Sequence, residues 1–453
     1  MLGYRQLGVI DKMQQDQQQN TMDKIVSLCK RRGFIFQSSE IYGGLASTWD
    51  YGSLGAELKR NLKNAWWRAN VYDRDDIEGL DASILMRPET WMASGHVTSF
   101  EDTLVDCKSC NKRFKVEHVT GKKCPECGGD LTEARQFNLM LKTHLGPIED
   151  TGSLTYLRPE TAQGIFVNFQ NVITSMRRKL PFGIAQIGKS FRNEVTTGNL
   201  TFRSREFEQM EIEFFVKPGT DEEWYDKWVS ERFEWYIKLG IRRENLRRRA
   251  HEKKELAHYA KACTDIEYKF PFGWSELEGI ANRTDFDLKQ HMRLSGKSLE
   301  YFDEETKDRY LPYVIEPSGG VDRSILAFLT DAYKEDEVRG EKRALLALDK
   351  KLAPVKVAIL PLLRNRPDIV KLAKDILQDI KGSPAIGGKV MYDDTASIGR
   401  LYRRQDEVGT PFCITVDVDS LSDRKVTIRD RDTMKQDRVG VDKAGEYLEE
   451  KFK

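Results

Sequence analysis

The stretch Phe191–Phe215, FRNEVTTGNLTFRSREFEQMEIEFF, constrains this chain more than any other. It reads as a strand, a turn and a long strand. Thr196-Thr197-Gly198-Asn199 supplies the turn, because Gly and Asn tolerate the positive φ that tight turns require. Strand side chains alternate between two faces. Arg203, Arg205, Phe207, Gln209, Glu211 and Glu213 therefore share one face, and Phe202, Met210, Ile212 and Phe214 the other. The incoming strand divides in the same way, with Gln186, Ser190, Arg192 and Glu194 opposite Ala185, Ile187 and Phe191. One sheet face then offers guanidinium groups for an anion, a ring for stacking and carboxylates for a cation. That set suits a ligand combining a phosphate, a base and an amine. The same alternation also describes a solvated sheet face tied by cross-strand ion pairs.

The chain has 453 residues, enough for about three domains. It is 39% hydrophobic and 32% charged, the balance of a globular protein. A formal net charge of +1 gives no global basic field, so any nucleic-acid contact must be local. No apolar run approaches the roughly 20 residues of a membrane helix, and the start lacks the apolar segment of a signal peptide. A cytoplasmic protein with no membrane partner is expected. Residues 1–21, with a Gln-rich run from Gln14, read as a disordered extension; Met22 is a candidate alternative start.

Four of the seven cysteines form two tight pairs, Cys107-Lys-Ser-Cys110 and Cys124-Pro-Glu-Cys127, thirteen residues apart. Without a secretion signal, metal ligation fits this spacing better than disulfides. Four thiolates at this spacing wrap a tetrahedral Zn²⁺, and closed four-cysteine sites are structural. A redox pair is the weaker reading, since no thioredoxin-like pattern surrounds either motif. His118 is a less favoured substitute ligand.

Helical stripes recur. Leu54, Leu58, Leu62, Ala65 and Trp66 mark a helix from Ser53, and the added Trp67 gives it an apolar side wide enough for an oligomer contact. Ile165, Phe169, Val172, Ile173 and Met176 mark a helix after Thr161. Residues 221–239 form an amphipathic helix, and Arg242–Arg249 a solvated basic run. Trp274–Leu288 is dense in carboxylates. A strand through Tyr313 ends at Glu316-Pro317-Ser318, and Gly319-Gly320 opens a helix bearing Arg323 in its first turn. Glycines there let backbone approach a ligand closely, and a helix start favours anions. Beyond Ala353-Pro354, strands near Val355–Leu360, Cys413–Val418 and Lys425–Arg429 alternate with a helix at Pro367–Ile380, one ending with Tyr402–Glu407 and one at Lys443–Phe452. That is an α/β domain with a local basic cluster at Arg400, Arg403 and Arg404.

Gly183-Ile-Ala-Gln-Ile-Gly188-Lys189-Ser190 matches the P-loop expression. A P-loop needs a flexible phosphate cradle followed by a helix. Here the inner residues are mostly apolar and a turn follows within a few residues, so the match is fortuitous.

Arg192-Asn193-Glu194, a turn and Arg203-x-x-x-Phe207 together resemble motif 2 of class II aminoacyl-tRNA synthetases. Gly320-Val-Asp-Arg323 resembles motif 3, and Leu54–Trp66 motif 1. EIYGGLASTWDYG, GLDASIL, RPETAQGIF, EFEQMEIEFF, TDFDL, RRQDEVGTPF and TIRDRDTM are similar to strings of the homodimeric glycyl-tRNA synthetase family, from about Met22 to the end. The resemblance implies an α+β fold, an antiparallel sheet flanked by helices. Residues 22–352 would form the catalytic domain, with a zinc ribbon at about 104–132 and a helical insertion at about 220–262, and 353–453 an anticodon-binding domain. It implies glycine, ATP with Mg²⁺ and tRNA(Gly) as substrates, structural Zn²⁺ and a homodimer.

Carried over by position, Arg192, Arg323 and Glu194 would be catalytic, with Arg192 on the α-phosphate. Phe207 would stack on adenine, with Arg323 from the other side. The ATP set would be Arg192, Asn193, Glu194, Phe202, Arg203, Ser204, Arg205, Glu206, Phe207, Glu276, Leu277, Gly320, Val321, Asp322 and Arg323, Glu276 acting through Mg²⁺. Glu160, Glu211 and Glu316 would surround the glycine ammonium, with Ser318, Gly320, Phe207 and Lys115 nearby; Lys115 stands where the family often has Arg. Rival readings are another class II synthetase and a non-catalytic zinc or nucleic-acid-binding protein. The three glutamates argue against the first, and Arg192, Arg323 and Phe207 against the second.

Overall fold

The computed structural model describes residues 20–195, 198–257, 259–338 and 340–453. Among these, one seven-stranded sheet organises the larger part of the chain. Its strands are β1 (Ile77–Gly79), β2 (Phe182–Phe191), β3 (Glu206–Val216), β4 (Leu246–Ala250), β5 (Ala262–Phe270), β6 (Gly273–Thr284) and β7 (Tyr313–Gly320). They lie in the order β4-β5-β6-β7-β3-β2-β1. Every pair is antiparallel except β1 with β2.

β2 and β3 pair in register from Phe182 opposite Phe215 to Phe191 opposite Glu206. The apparent P-loop therefore lies inside a continuous strand. Arg192 and Glu194 lie beyond β2, and Phe202 ends a short 3-10 turn (Leu200–Phe202) before β3 begins. Alternation thus holds within the strands but not for Arg192, Phe202, Arg203 or Arg205, which sit on the connection. Thr196 and Thr197 of the expected turn lie outside the described residues.

The two faces of β3 are covered differently. Met210, Ile212 and Phe214 pack into one core with Leu58, Leu62 and Trp66 of α1 (Ser53–Trp67). On the other face, Phe215 and Phe182 pack against Ile165, Phe166 and Phe169 of α2 (Ala162–Met176). Truncating one such buried side chain, Leu62 for example, costs about 2–5 kcal/mol. Trp66 is fully buried, and Trp67 lies over β1, where a Cβ on Gly79 would come within 2.5 Å of its ring. Leu54, Ala65 and Trp67 on the same helix are only partly buried against this core.

The segment expected as a helical insertion is instead part of the main fold. α3 (Asp221–Lys238) buries Trp228 and Tyr236 in the principal core, and Leu246–Ala250 is the edge strand of the sheet. Arg232 of α3 forms a buried ion pair with Glu278 of β6, at 2.6 Å. Truncating one partner of such a pair leaves a buried charge and costs about 3–5 kcal/mol. The basic run follows expectation on this edge: Arg247 and Arg249 reach Glu267, at 2.5 and 3.5 Å.

The cysteine pairs flank a three-stranded sheet with Glu101–Asp106 between Arg113–Lys115 and Arg135–Asn138. α4 (Phe286–Ser295) and α5 (Val321–Ala332) complete the surroundings of the main sheet. A helix runs over residues 20–32; residues 1–19 of the expected extension lie outside the described ones. The C-terminal part has a five-stranded sheet. Val357–Pro361 pairs in parallel with Val390–Tyr392 and Phe412–Val416, then Lys425–Asp430 and Gln436–Gly440 follow antiparallel. Its helices, Pro367–Lys381, Ile398–Val408 and Ala444–Phe452, fall where helices are expected. Buried Asp406 ties this part together and to the rest, receiving Arg429 at 2.8 Å and Arg343 at 3.3 Å.

Candidate active site

A cavity of about 310 Å³ opens on the polar face of β3. Phe207, Gln209 and Glu211 rise from β3, Glu276 from β6, and Glu316, Ser318 and Gly320 from β7. Arg192 and Glu194 enter from the end of β2, and Phe202, Arg203 and Ser204 from the connection. Asp322 and Arg323 enter from α5, and Glu160 from the segment before α2. Segments far apart in sequence thus place their polar residues in one space.

Other expected residues do not line it. The Asn193 N–H donates to the Leu139 carbonyl at 2.9 Å. Arg205 donates to the carbonyls of Glu194 and Ala46, at 3.2 and 3.3 Å. Glu206 pairs with Lys189. Leu277 and Val321 are buried in the principal core, where an apolar side chain gains most. Lys115 is turned to Asp102 at 2.8 Å within the cysteine-bearing sheet.

One end of the cavity suits an anion and a ring. The Arg192 guanidinium lies 5.4 Å from the Phe207 ring centre and 5.3 Å from that of Phe100, and its Nε donates to the Pro159 carbonyl at 3.0 Å. Arg323 lies 4.6 Å over the Phe202 ring and 3.0 Å from the Glu276 carboxylate. Phe207 and Arg323, expected on opposite sides of the base, both line the cavity. The Arg323 charge lowers the Glu276 pKa despite burial. Asp322 is turned away from solvent, accepting from Tyr51 at 2.6 Å and Lys59 at 2.9 Å.

The other end is crowded with carboxylates. Glu160 accepts from Gln163 at 3.0 Å and lies 3.3 Å from His96. Glu211 accepts from Ser318 at 2.7 Å and from Thr161. Glu316 accepts from Arg283 at 2.9 Å, and Arg283 also grips Asp287 at 2.7 Å. Glu213 is fully buried, and neither oxygen finds a partner among the described residues. Oxygens of Glu211, Glu213 and Glu316 lie within 4.8 Å of one another.

Arg283 cannot neutralise all these groups, and their acidities follow. Burial pushes the Glu316 carboxyl up to about 8, Arg283 opposing and Glu211 adding. Burial and the Glu160 charge raise Glu211, while burial and Glu316 raise Glu213 well above the usual range. Burial would raise Glu160 too, but His96, Arg283 and Gln163 together lower it. Like charges held in a dry space resist joint ionisation. This end therefore holds more carboxylates than the Arg283 guanidinium offsets, and an ammonium group would offset more of them.

The four cysteines also converge. Cys107 and Cys127 sulfurs lie 3.4 Å apart, Cys110 and Cys124 sulfurs 3.8 Å, and all four are within 4.8 Å. Tetrahedral zinc with bonds of about 2.3 Å needs sulfurs about 3.8 Å apart, so the set fits the ion. The Cys110 and Ser109 amides donate to the Cys107 sulfur and bring its thiol down to about 6, against burial.

Two family models match the chain. Residues 147–332 match "tRNA synthetase class II core domain (G, H, P, S and T)", and residues 356–451 match "Anticodon binding domain". The glycine–tRNA ligase of Thermobifida fusca is 54% identical, over 95% of this chain and 98% of its own. Those of Cutibacterium acnes and Streptomyces coelicolor are 55% and 54% identical, over 95% and 94% of this chain and 96% and 97% of their own. The chain belongs to the glycine–tRNA ligase family.

Within this glycine–tRNA ligase family member, several cavity residues escaped the sequence reading. Arg283 stands one residue before the quoted TDFDL string, yet nothing local marks it as the counter-charge of Glu316. His96, Thr161 and Gln163 act as partners of Glu160 and Glu211. Tyr259, His251, Cys263 and Asp265 line the wall formed by β5 and its approach. Tyr259 lies 3.9 Å from the Arg283 guanidinium.

Proposed function

We propose that this glycine–tRNA ligase family member activates glycine with ATP to glycyl-adenylate and then transfers glycine to the 3′ end of tRNA(Gly). The observation that carries this reading is the group of buried glutamates around the guanidinium of Arg283, beside an arginine-bearing pocket. Glycine offers only an ammonium and a carboxylate. In this reading Glu160, Glu211 and Glu316, with Ser318, hold the ammonium and aim the carboxylate at the anion end. Arg192 holds the α-phosphate, Glu276 acts through Mg²⁺, and Phe207, Phe202 and Arg323 support the base. A glycine carboxylate oxygen attacks the α-phosphorus in line, forming a P–O bond while the bond to pyrophosphate breaks. Catalysis is positioning and charge stabilisation, with no protein nucleophile. The tRNA 3′-terminal hydroxyl then attacks the adenylate carbonyl and AMP leaves.

Amino-acid-dependent ATP–pyrophosphate exchange tests the reading. Glycine is expected to drive exchange; exchange driven preferentially by serine or alanine would contradict it. Steric exclusion suffices for specificity, since rejecting a smaller substrate is the hard case and none is smaller than glycine.

Glycine binding carries a pH signature. Burial raises the Glu316 carboxyl to about 8, and an arriving ammonium favours its charged form. Glycine is therefore expected to bind with proton release and more tightly as pH rises from 6 to 8. Calorimetry in buffers of different ionisation enthalpy measures this, and pH-independent binding without proton release would refute it. The linked stability has the opposite sign in the free protein. A carboxyl raised from 4.5 to about 8 stabilises fully below pH 4.5, and that contribution is lost as pH rises through about 8.

The same reading assigns Zn²⁺ to Cys107, Cys110, Cys124 and Cys127 as a structural ion. About one zinc per chain is expected at this site, lost in Cys124→Ser; metal analysis finding the same content in both proteins would remove it. Residues 353–453 are read as the tRNA-contacting unit, with Arg400, Arg403 and Arg404 on one helix as its basic contacts. The protein is read as a cytoplasmic homodimer, which sedimentation of the full chain tests. Among the described residues, no helix is long and apolar enough to cross a membrane.

A further inference from the structure

We propose that His251, Cys263 and Asp265 form a second metal site, taking a thiophilic divalent cation such as Zn²⁺ on the cavity wall. These residues have no part in the mechanism above. β4 and β5 pair with Ala250 opposite Thr264, and the His251 N–H donates to the Cys263 carbonyl at 2.9 Å. That fixes His251 beside Cys263 and Asp265, which share one face of β5 at positions two apart. His251 Nε2 lies 2.8 Å from Asp265 Oδ2, and one donor atom from each residue lies within 4.8 Å of the other two. All three side chains line the cavity.

The local field favours a cation. Burial and then the carboxylates of Asp265, Glu316 and Glu276 raise the Cys263 thiol to about 12, so a proton there yields to a cation of higher charge, and the opposing cation, Arg249, is engaged by Glu255 at 3.0 Å and Glu267 at 3.5 Å. An imidazole nitrogen, a thiolate and a carboxylate oxygen make a borderline-soft donor set, suited to Zn²⁺ and poor for Mg²⁺. Bonds of about 2.0–2.3 Å to a tetrahedral ion separate its ligand atoms by about 3.3–3.6 Å. The His251–Asp265 pair would open by less than about 1 Å to admit the ion. Binding replaces the S–H bond by a metal–sulfur bond and releases one proton to solvent. Three protein ligands leave the fourth position to water on the cavity side.

Co²⁺ titration of the full-length protein, followed by absorbance, tests the site. Comparing wild type with Cys263→Ser isolates it from the four-cysteine site, whatever ion that site holds. Wild type is expected to take one more equivalent, with a sulfur-to-cobalt charge-transfer band that the variant lacks. Removing a ligand should weaken this equivalent beyond the roughly 10–100-fold typical of outer-shell changes. A large excess of Mg²⁺ should not displace it. Identical stoichiometry and spectra in the two proteins would overturn the proposal, as would displacement by Mg²⁺. If Cys263→Ser fails to fold, His251→Ala provides the same comparison. The titration contains neither ATP nor glycine, so its failure leaves the ligase reading untouched, and failed exchange leaves the metal site untouched.

Discussion

Glu211→Gln is expected to weaken glycine use by about 30- to 5000-fold while leaving ATP binding within a few-fold of normal. Glu211 is almost fully buried and accepts from Ser318 at 2.7 Å and from Thr161. Glutamine keeps the shape and an accepting oxygen but removes the negative charge. It also directs an amide N–H₂ toward hydroxyls or the arriving ammonium. Truncating one partner of a buried, hydrogen-bonded charge pair costs about 2–5 kcal/mol, which sets the range quoted. The comparison that decides is kcat/KM for glycine in pyrophosphate exchange against ATP affinity measured without glycine. Equal losses in the two would contradict the ammonium-holding role. The free variant should be no less stable than wild type, because Glu211 is one of several carboxyls that burial and mutual repulsion drive upward.

Arg192→Ala is expected to slow exchange by about 10²–10³-fold in kcat, the cost of losing a preorganised group aimed at developing charge. Arg192 anchors itself to the Pro159 carbonyl at 3.0 Å and stands between the rings of Phe100 and Phe207. It is held in position before any phosphate arrives. Lysine should not restore the rate, because a point charge lacks the planar fork that guanidinium presents to phosphate. Glycine binding at the carboxylate end should change little. A variant with normal kcat and lost glycine affinity would put Arg192 at the wrong end of the cavity.

Much of this site was legible in sequence because its chemistry lies on short periodic segments. Glu211 and Gln209 follow the alternation of β3, Arg323 follows the strand-to-helix junction at Gly320, and the cysteine pairs carry their own spacing. Alternation stopped being informative where strands ended. Phe202 and Arg203 reach the cavity from the connection, and there a side chain's direction depends on the path of the loop. The hairpin of β5 and β6 was hidden for another reason. Its Asp265, Glu267, Glu276 and Glu278 interrupt the hydrophobic pattern of a buried strand. They are tolerated there because Arg232 meets Glu278, Arg247 meets Glu267, and the cavity receives Asp265 and Glu276. The expected helical insertion failed likewise: the amphipathic period of α3 specifies a helix but not the surface on which it packs.

By itself, the sequence determined the strand pair at the centre, the helices with apolar stripes, the four-cysteine cluster and the family resemblance, because each is written in local order and spacing. Only the tertiary structure decided which charge meets which. Arg283 reaches Glu316 across thirty-three positions, Gln163 reaches Asp287 across one hundred and twenty-four, and Glu213 is buried with no hydrogen-bond partner among the described residues. Burial makes those meetings consequential, since a carboxylate removed from water is governed by its few neighbours. Glu213, equivalent to Glu211 in the strand pattern, becomes a raised acid because burial and the neighbouring Glu316 act on it together.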